Sequence, residues 1–308
     1  MKNFCFTLLA FCLTSLSYAQ NIKDVEVYSE RNRQSGGIDI HAKINKYGNY
    51  SIFIEFSSLE NTIHSNTYLT VASGNRKILT LSPNIENKPV NCRYSYRHIK
   101  GYTPEKIDSS FVYRLPFSTK KTNLVKASTL YNIKQRHFKD SADNNWVSWQ
   151  FMLNQGDIVF AARKGRVVEI VDKYEPAADV GGVSFNSHRN SIMVEHGDGT
   201  LCSYQVIEKG SCMVSEGDIV YPGTPLAKAG TFSEKDTYQV RLHIYYPVMD
   251  KKSSKNKSIF KYVYYNPFFL TSDGVKQVEH GKSYCAISSD ELVQKELTKR
   301  ELKRFQQK

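Results

Sequence analysis

The residues of this chain that could do chemistry are few and widely spaced. Three of its eight histidines lie in the first third, without partner residues: His41, His64 and His98. No Cys-x-x-Cys pair occurs, so we expect no zinc site built from cysteine thiolates. The candidates for metal binding are His137 and His243, with the carboxylate of Asp143 between them, whereas His196 is interpreted as structural. Imidazole and carboxylate groups are the ligands of catalytic zinc sites, which leave one position for water.

A five-residue pattern occurs twice in the second half of the chain. Gly156–Phe160 reads Gly-Asp-Ile-Val-Phe, and Gly217–Tyr221 reads Gly-Asp-Ile-Val-Tyr. Each copy begins with a turn residue, continues in a β-rich run and is followed by small residues and a second glycine. The equivalent context at both ends predicts a duplicated β unit.

Four segments around this repeat resemble, in order, the lysostaphin-like (LytM-like) zinc metalloendopeptidases that cut bacterial peptidoglycan. They are Gly156–Val168, Asn190–Thr200, Val214–Gly230 and Arg241–Ile244, and Tyr204 stands where that family has a tyrosine. The resemblance extends from about Leu130 to Leu270 and implies an antiparallel β core built from a duplicated hybrid motif.

The resemblance also implies a mechanism. Two histidines and an aspartate would hold Zn²⁺, and the metal would lower the pKa of a bound water so that hydroxide attacks a peptide carbonyl. Two further histidines, in a Tyr-x-His and at the start of a His-x-His, would orient the water and stabilise the oxyanion. In this chain the corresponding metal ligands would be His243 and, at a looser match, His137.

The chain departs from this pattern at most of the positions that matter. Gln150 stands in place of the aspartate, Arg241 replaces the first histidine of His-x-His, and the Tyr-x-His position reads Tyr204-Gln205-Val206. A neutral amide is a poor zinc ligand, and the permanent charge of an arginine opposes a nearby cation. Asp143 could supply a carboxylate instead. We therefore expect no cofactor and a degenerate domain in which His137, His196 and His243 have structural roles.

The expected function is that of a secreted cell-envelope protein that binds peptidoglycan or regulates a wall hydrolase. In the former catalytic cleft, Arg241, Gln150 and Tyr204 are the candidate binding residues, and Gln205 is a further amide donor for an anionic group. Two alternatives remain open. One is an active zinc metalloendopeptidase with atypical ligands, which would cleave peptidoglycan cross-bridges or stems. The other is a structural protein of envelope assembly or adhesion.

The elements around this core also follow from pattern. Alternating apolar and polar residues from about Ile22 to Leu115 predict a β-sandwich of the Ig-like type. We expect a sandwich domain over residues 20–117, the peptidase-like domain over 124–270 and a basic, partly helical tail over 271–308. Ser289 is a candidate helix N-cap. The apolar residues that follow it form no clean stripe, so we expect the tail to be loosely docked.

The N-terminus and the charge indicate where the protein acts. Lys2, an apolar run to Leu13 and the small residues of Ser17–Ala19 predict a signal peptide over residues 1–19, and therefore a periplasmic or extracellular protein. No later stretch is long and apolar enough for a transmembrane segment. The net charge of +12 favours anionic envelope polymers. No nucleic-acid-binding motif occurs, so we expect no nucleic acid partner. A disulfide is expected between Cys202 and Cys212, across a hairpin.

Overall fold

The computed structural model describes residues 23–119, 125–129, 147–177, 188–233, 237–250 and 259–307. The predicted signal peptide lies outside these residues, as do His137 and Asp143. The fold is mostly β with antiparallel sheets, as the sequence predicts. Within the described ranges, no helix is long and apolar enough to cross a membrane.

The N-terminal part is a sandwich of two sheets. One sheet has the order β1-β2-β5, formed by Val25–Arg31, Ile38–Ile44 and Asn75–Leu81, and the other has the order β4-β3-β6, formed by Thr67–Ala72, Tyr50–Glu60 and Asn91–Lys100. The period-two pattern places one side of each strand between the sheets, so that Ile40, Ile52 and Ile54 are fully buried. This arrangement confirms the predicted sandwich.

A large sheet organises the rest of the chain. The strands described in it are β8 (Val125–Thr129), β9 (Trp149–Met152), β11 (Gly165–Val171), β12 (Ser191–His196), β13 (Leu201–Gln205), β14 (Ile219–Val220), β16 (Gln239–Met249), β17 (Phe260–Tyr264) and β20 (Ser283–Tyr284). Their order is β14-β11-β12-β13-β16-β9-β8-β20, and β17 pairs with the far end of β16. All these pairings are antiparallel. One face of this sheet covers the main hydrophobic core.

The five-residue repeat forms the duplicated β unit that the sequence predicts. The first copy leads into β10 (Ile158–Phe160), which pairs with β15 (Pro225–Lys228) beyond the second copy. The second copy leads into β14, which pairs with β11 beyond the first copy, so the two units exchange strands. Their turns match in detail: the Asp157 carboxylate accepts the Asn154 N–H at 2.8 Å, and the Asp218 carboxylate accepts the Ser215 N–H at 2.8 Å.

The structure places two segments differently from the expected domain boundaries. β7 (Val112–Arg114) belongs to the second half of the molecule, because it pairs in parallel with β18 (Phe268–Thr271), which also pairs with β19 (Gly274–Lys276). The buried residue Tyr113 lies in the same core as the large sheet. Residues after 270 are likewise part of this domain, since β20 pairs with β8. Long-range strand pairing of this kind leaves no boundary signal in the local sequence.

The chain ends in two short helices rather than one. α1 (Asp290–Gln294) begins after Ser289, whose side chain accepts the Leu292 N–H as predicted. α2 (Lys299–Phe305) begins with a capping box formed by Thr298 and Glu301. Acidic side chains dock this segment: Glu296 bonds to Arg163 at 2.7 Å and Glu301 to Lys164 at 2.7 Å. The expectation of a loosely docked tail was based on apolar residues alone and is wrong, because ion pairs hold the segment.

The expected disulfide is also absent from the described residues. Cys92, Cys202, Cys212 and Cys285 are all thiols. Cys202 alternates with Ser203 along β13 and points into the core, where it is fully buried. Cys212 packs at the edge of that core, and burial followed by the charge of Asp172 raises the pKa of its thiol to about 12.

Candidate functional site

Three of the positions singled out by the sequence lie side by side on neighbouring strands. Arg241 of β16 is the register partner of Gln150 on β9 and of Gln205 on β13. Residues in register on adjacent antiparallel strands project to the same face of a sheet. The strand pairing therefore brings Gln150, Arg241 and Gln205, which are far apart in sequence, into one row, which we call the polar row.

The polar row belongs to the face of the sheet that is turned away from the main core. Side chains alternate along β16, so Val240, Leu242 and Ile244 enter the core while Arg241 and His243 share the opposite face. Ser203 is in register with His243, and the Ser148 hydroxyl is within hydrogen-bond distance of the His243 ring. We call these six residues the polar face: Ser148, Gln150, Ser203, Gln205, Arg241 and His243.

Tyr204 does not belong to this face, although the sequence suggested it as a binding residue. It lies between Ser203 and Gln205 on β13, so its ring projects into the core, where it is fully buried. Its hydroxyl accepts the Ala162 N–H at 2.7 Å. Burial, the largest cause, raises the pKa of this hydroxyl well above its ordinary value. Tyr204 therefore has a structural role, and we exclude it from the candidate site.

His243 is enclosed and uncharged. Its Nε2 lies 3.2 Å from the Ser148 hydroxyl, and its ring contacts that of Tyr264. Burial, followed by the positive charges of Arg189 and Arg241, lowers the pKa of His243 to about 3, although a backbone hydrogen bond with Val147 opposes the shift. At neutral pH the imidazole is therefore neutral and hydrogen-bonded within the polar face.

Arg189 is a member of the site that the sequence did not indicate. It lies just before β12, and its Nη1 donates a hydrogen bond to Gln205 Oε1 at 3.1 Å. The next residue, Asn190, fixes this segment: its side-chain oxygen accepts the N–H groups of Lys173 and Tyr174. Only the strand pairing places Arg189 next to Gln205, since sixteen positions separate them in the sequence.

The remaining side chains of the polar row are held in place by their neighbours. Arg241 Nε donates to Gln239 Oε1 at 2.9 Å, and its guanidinium lies 5.0 Å from the centre of the Phe232 ring. Gln205 Nε2 donates to the Ser203 hydroxyl at 3.2 Å. Val206, directly after Gln205, has a φ of +65°, an unusual conformation for a β-branched residue. Its backbone bonds to Asn190 and Gly230 maintain this strain.

His196, which the sequence indicated as a structural residue, lies away from this face. It stands at the end of β12 on the core side, where its Nδ1 bonds to the Lys164 carbonyl oxygen at 2.8 Å and its ring packs against Tyr113. Burial, followed by the charge of Arg163, lowers the pKa of His196 to about 3. These contacts assign it a structural role.

The described residues of the polar face do not fit a zinc ion. Zinc in catalytic sites takes imidazole and carboxylate ligands, whereas this face offers two amides, two hydroxyls and a guanidinium around one imidazole. A second guanidinium, that of Arg189, stands beside it. Over the described part of the chain, no group of three His, Cys, Asp or Glu side chains could hold a metal ion.

Residues 145–257 match the model of peptidase family M23. The chain thus contains a domain of peptidase family M23, and the resemblance read from the sequence is confirmed. A comparison with curated proteins gives no match.

Several solved structures are similar at low sequence identity. A protein described as the glycyl-glycine endopeptidase LytM, from Ruminococcus gnavus, is 16% identical over 49% of this chain and 57% of that chain, with a TM-score of 0.33. Helicobacter pylori Csd3 is 8% identical over 73% of this chain and 67% of that chain, with a TM-score of 0.28. A zinc-containing peptidase from Vibrio cholerae is 11% identical over 72% and 78%, with a TM-score of 0.27. This chain thus spans little more than half the length of the Ruminococcus protein.

Proposed function

We propose that this is a secreted protein of the bacterial cell envelope whose M23 domain binds and does not cleave. Its ligand is peptidoglycan or a hydrolase that acts on peptidoglycan. The observation that carries the proposal is the polar row, in which Arg241 lies between Gln150 and Gln205. Gln150 and Arg241 occupy positions where the resemblance requires an aspartate and a histidine.

The chemistry of the row supports binding over hydrolysis. A zinc ion that activates water needs neutral or anionic ligands, because a cationic ligand would add to the charge of the metal. An arginine remains protonated at any physiological pH, so its charge would repel the ion. The same guanidinium is well suited to anions, since its fixed N–H groups match the oxygens of a carboxylate.

The location of the protein is part of this proposal. The predicted signal peptide would take the chain across the inner membrane, and an M23 domain acts on material found there. The net charge of +12 favours association with the anionic polymers of the envelope. Four exposed basic residues of α2 contribute to this charge and offer a second route to such polymers: Lys299, Arg300, Lys303 and Arg304.

Metal analysis and hydrolysis together test the absence of catalysis. We expect less than one tenth of an equivalent of zinc per purified chain and no release of muropeptides from peptidoglycan at neutral pH. One equivalent of tightly held zinc, lost in the His243→Ala variant, would contradict the proposal. That result would favour an active endopeptidase with atypical ligands.

Retention on insoluble peptidoglycan tests the binding function. We expect the wild-type protein to sediment with purified sacculi, and a variant with the four basic residues of α2 changed to Gln to remain largely bound. If this variant no longer sediments with sacculi although the wild-type protein does, the binding surface is α2 and not the M23 domain. No retention of the wild-type protein, and no capture of a wall hydrolase, would favour a structural protein of envelope assembly.

A further inference from the structure

Two arginines from different elements lie at the polar face, Arg241 within it and Arg189 beside it. Arg241 comes from the middle of β16, and Arg189 comes from the segment before β12. Both act on the same imidazole, that of His243, by charge repulsion. Two permanent cations are thus gathered around a neutral group in the place where the family arranges ligands for a metal.

The charge of Arg189 is not balanced within the described protein. Its described hydrogen bond goes to the neutral amide of Gln205, and no described carboxylate forms an ion pair with it. Arg189 is half-buried, and this burial lowers the pKa of its guanidinium. A guanidinium has five N–H donors, and a partly buried cation without a counter-ion is costly. An anionic ligand would remove that cost.

A small cavity opens at the Arg189 end of the polar row. Its volume is about 260 Å³, and its walls include Arg189, Phe232, Tyr174, His188 and Tyr238. Phe232 also contacts the guanidinium of Arg241, so the cavity adjoins both arginines. Tyr174 and His188 stack at 5.0 Å between ring centres and form an aromatic wall.

Two carboxylates line the cavity, Glu175 and Glu208. Glu175 is bonded to Lys209 at 2.6 Å, and no described ion pair joins Glu208 to either arginine. The cavity is smaller than the ~300–1,000 Å³ typical of sites for drug-sized ligands. The cavity can therefore hold the last residues of a peptide but not a larger ligand. The aromatic side chains of its walls can contact the apolar side chains of these residues, and the arginines can bind the terminal carboxylate.

We propose that Arg189 and Arg241 together bind the terminal carboxylate of a short peptide, whose last side chains enter the adjoining cavity. Gln150 and Gln205 complete the site as neutral hydrogen-bonding groups on either side of Arg241. This inference rests on the proposed function, since it gives the ligand of a domain that binds and does not cleave. It assigns a peptide carboxylate to the site and excludes a metal ion.

Fluorescence anisotropy with a matched pair of peptides tests this assignment. The probes are fluorescein-labelled Lys-D-Ala-D-Ala with a free carboxylate and the same peptide with a C-terminal amide. We expect the amide to bind at least tenfold more weakly. Arg189→Gln and Arg241→Gln should each weaken binding of the acid by about 10- to 100-fold, as expected for loss of a hydrogen bond to a charged group of about 1.5–3 kcal/mol.

Two further variants keep the test decisive. Arg166→Gln is the matched control, because Arg166 is an exposed arginine of β11 that bonds to the Gly217 carbonyl oxygen, outside the polar face. Its affinity should equal that of the wild type. Arg189→Lys keeps the charge but not the fork of donors, so it should restore part of the affinity. Circular dichroism confirms that each variant is folded.

Three results would overturn the inference. They are equal binding of acid and amide, wild-type affinity in both Arg→Gln variants, and displacement of the peptide acid by millimolar inorganic phosphate but not by acetate. Sedimentation with sacculi separates this failure from that of the proposed function. If the arginine variants sediment with sacculi as the wild type does, the proposed wall binding stands and the carboxylate site is rejected. If the protein binds the peptide acid tightly but does not sediment with sacculi, the carboxylate site stands and the proposed wall binding is rejected.

Discussion

Single residues on the polar face decide what the M23 domain can do. Arg241 and Gln150 stand where the resemblance places a histidine and an aspartate, and His243 is buried and hydrogen-bonded to Ser148. The charge of Arg189 also lowers the pKa of the His243 imidazole. In the proposed function, the domain keeps the scaffold of the family, and its two guanidinium groups favour an anionic ligand over a cation.

The two buried histidines predict how stability depends on pH. Burial, followed by nearby arginine charges, lowers the pKa of both His196 and His243 to about 3. In the unfolded chain each histidine takes up its proton near the ordinary pKa of about 6.5. Between these values the unfolded state binds more protons, so the free energy of unfolding must fall as the pH is lowered from about 6.5 towards 3.

Urea unfolding at pH 7.5, 6.5, 5.5 and 5.0 measures this dependence. Each histidine contributes a slope of up to about 1.4 kcal/mol per pH unit below pH 6.5. The His243→Gln variant should lose about half of the slope, whereas His280→Gln, at an exposed position, should keep it. A stability that is constant from pH 7.5 to 5.0 would show that these imidazoles are not buried in the folded protein.

At the scale of elements, the C-terminal segment is fixed to the duplicated unit by charge. Arg163, which follows β10, is almost fully buried and bonds to Glu296 at 2.7 Å and to Asp198 at 2.8 Å. Its guanidinium also lies 3.7 Å from the centre of the Phe111 ring. Burial by itself would lower the pKa of Arg163, but the bonds to Glu296 and the surrounding charges raise it above its ordinary value. The tail is thus part of the M23 domain's structure.

Removing the charge of Glu296 should therefore destabilise the whole domain. In the Glu296→Gln variant, Arg163 stays buried with one carboxylate instead of two. We expect a loss of about 3 kcal/mol in the free energy of unfolding, at the lower end for a broken buried ion pair because Asp198 remains. Glu291→Gln is the matched control, since Glu291 is exposed on α1. An equal, small effect of both changes in chemical denaturation would contradict this account.

At the scale of the whole molecule, the sandwich and the M23 domain meet through side-chain hydrogen bonds, ion pairs and ring contacts. The Asn49 side chain donates to Glu195 Oε1 at 2.6 Å, and Lys100 forms an ion pair with Glu169. Two tyrosines from the sandwich side, Tyr47 and Tyr102, rest on glycines of the M23 domain. Between the two parts lies a cavity of about 850 Å³, with Tyr47, Tyr102 and Lys164 among its lining residues.

A pair of glycine variants tests whether this interface contributes to stability. Gly199 and Gly210 have φ values of +87° and +71°, so Ala at either site pays a similar backbone cost of about 1–2 kcal/mol. A Cβ at Gly199 would also lie 2.4 Å from the Tyr102 ring, while one at Gly210 meets nothing within 4 Å. Gly199→Ala should be worse by a further 1–3 kcal/mol, approximately the cost of overpacking.

Adding Tyr102→Ala identifies the source of this difference. In the Gly199→Ala background, removal of the ring should recover the extra loss, because the clash is then gone. Thermal unfolding of the four proteins of this double-mutant cycle gives the coupling directly. Equal effects of Gly199→Ala and Gly210→Ala would mean that the two parts are not packed together as described.

The local pattern of residues along the chain determines much of this protein's architecture. Alternation in β2 and β3 predicts the sandwich, because a strand with one buried face must alternate. The repeat of Gly156–Phe160 at Gly217–Tyr221 predicts the duplicated unit, and the ordered segments around it predict the family. Gln150 and Arg241 could also be singled out from the sequence, because the resemblance places an aspartate and a histidine at their positions.

Only the tertiary structure decided which of these residues meet. Strand register brings Gln150, Gln205 and Arg241 into one row, and alternation along β13 excludes their neighbour Tyr204. Arg189 joins them through a side-chain bond between segments, and Glu296 reaches Arg163 across 133 positions of sequence. Such contacts depend on which strands pair over long distances, and an alternating pattern predicts a strand without identifying its distant partner.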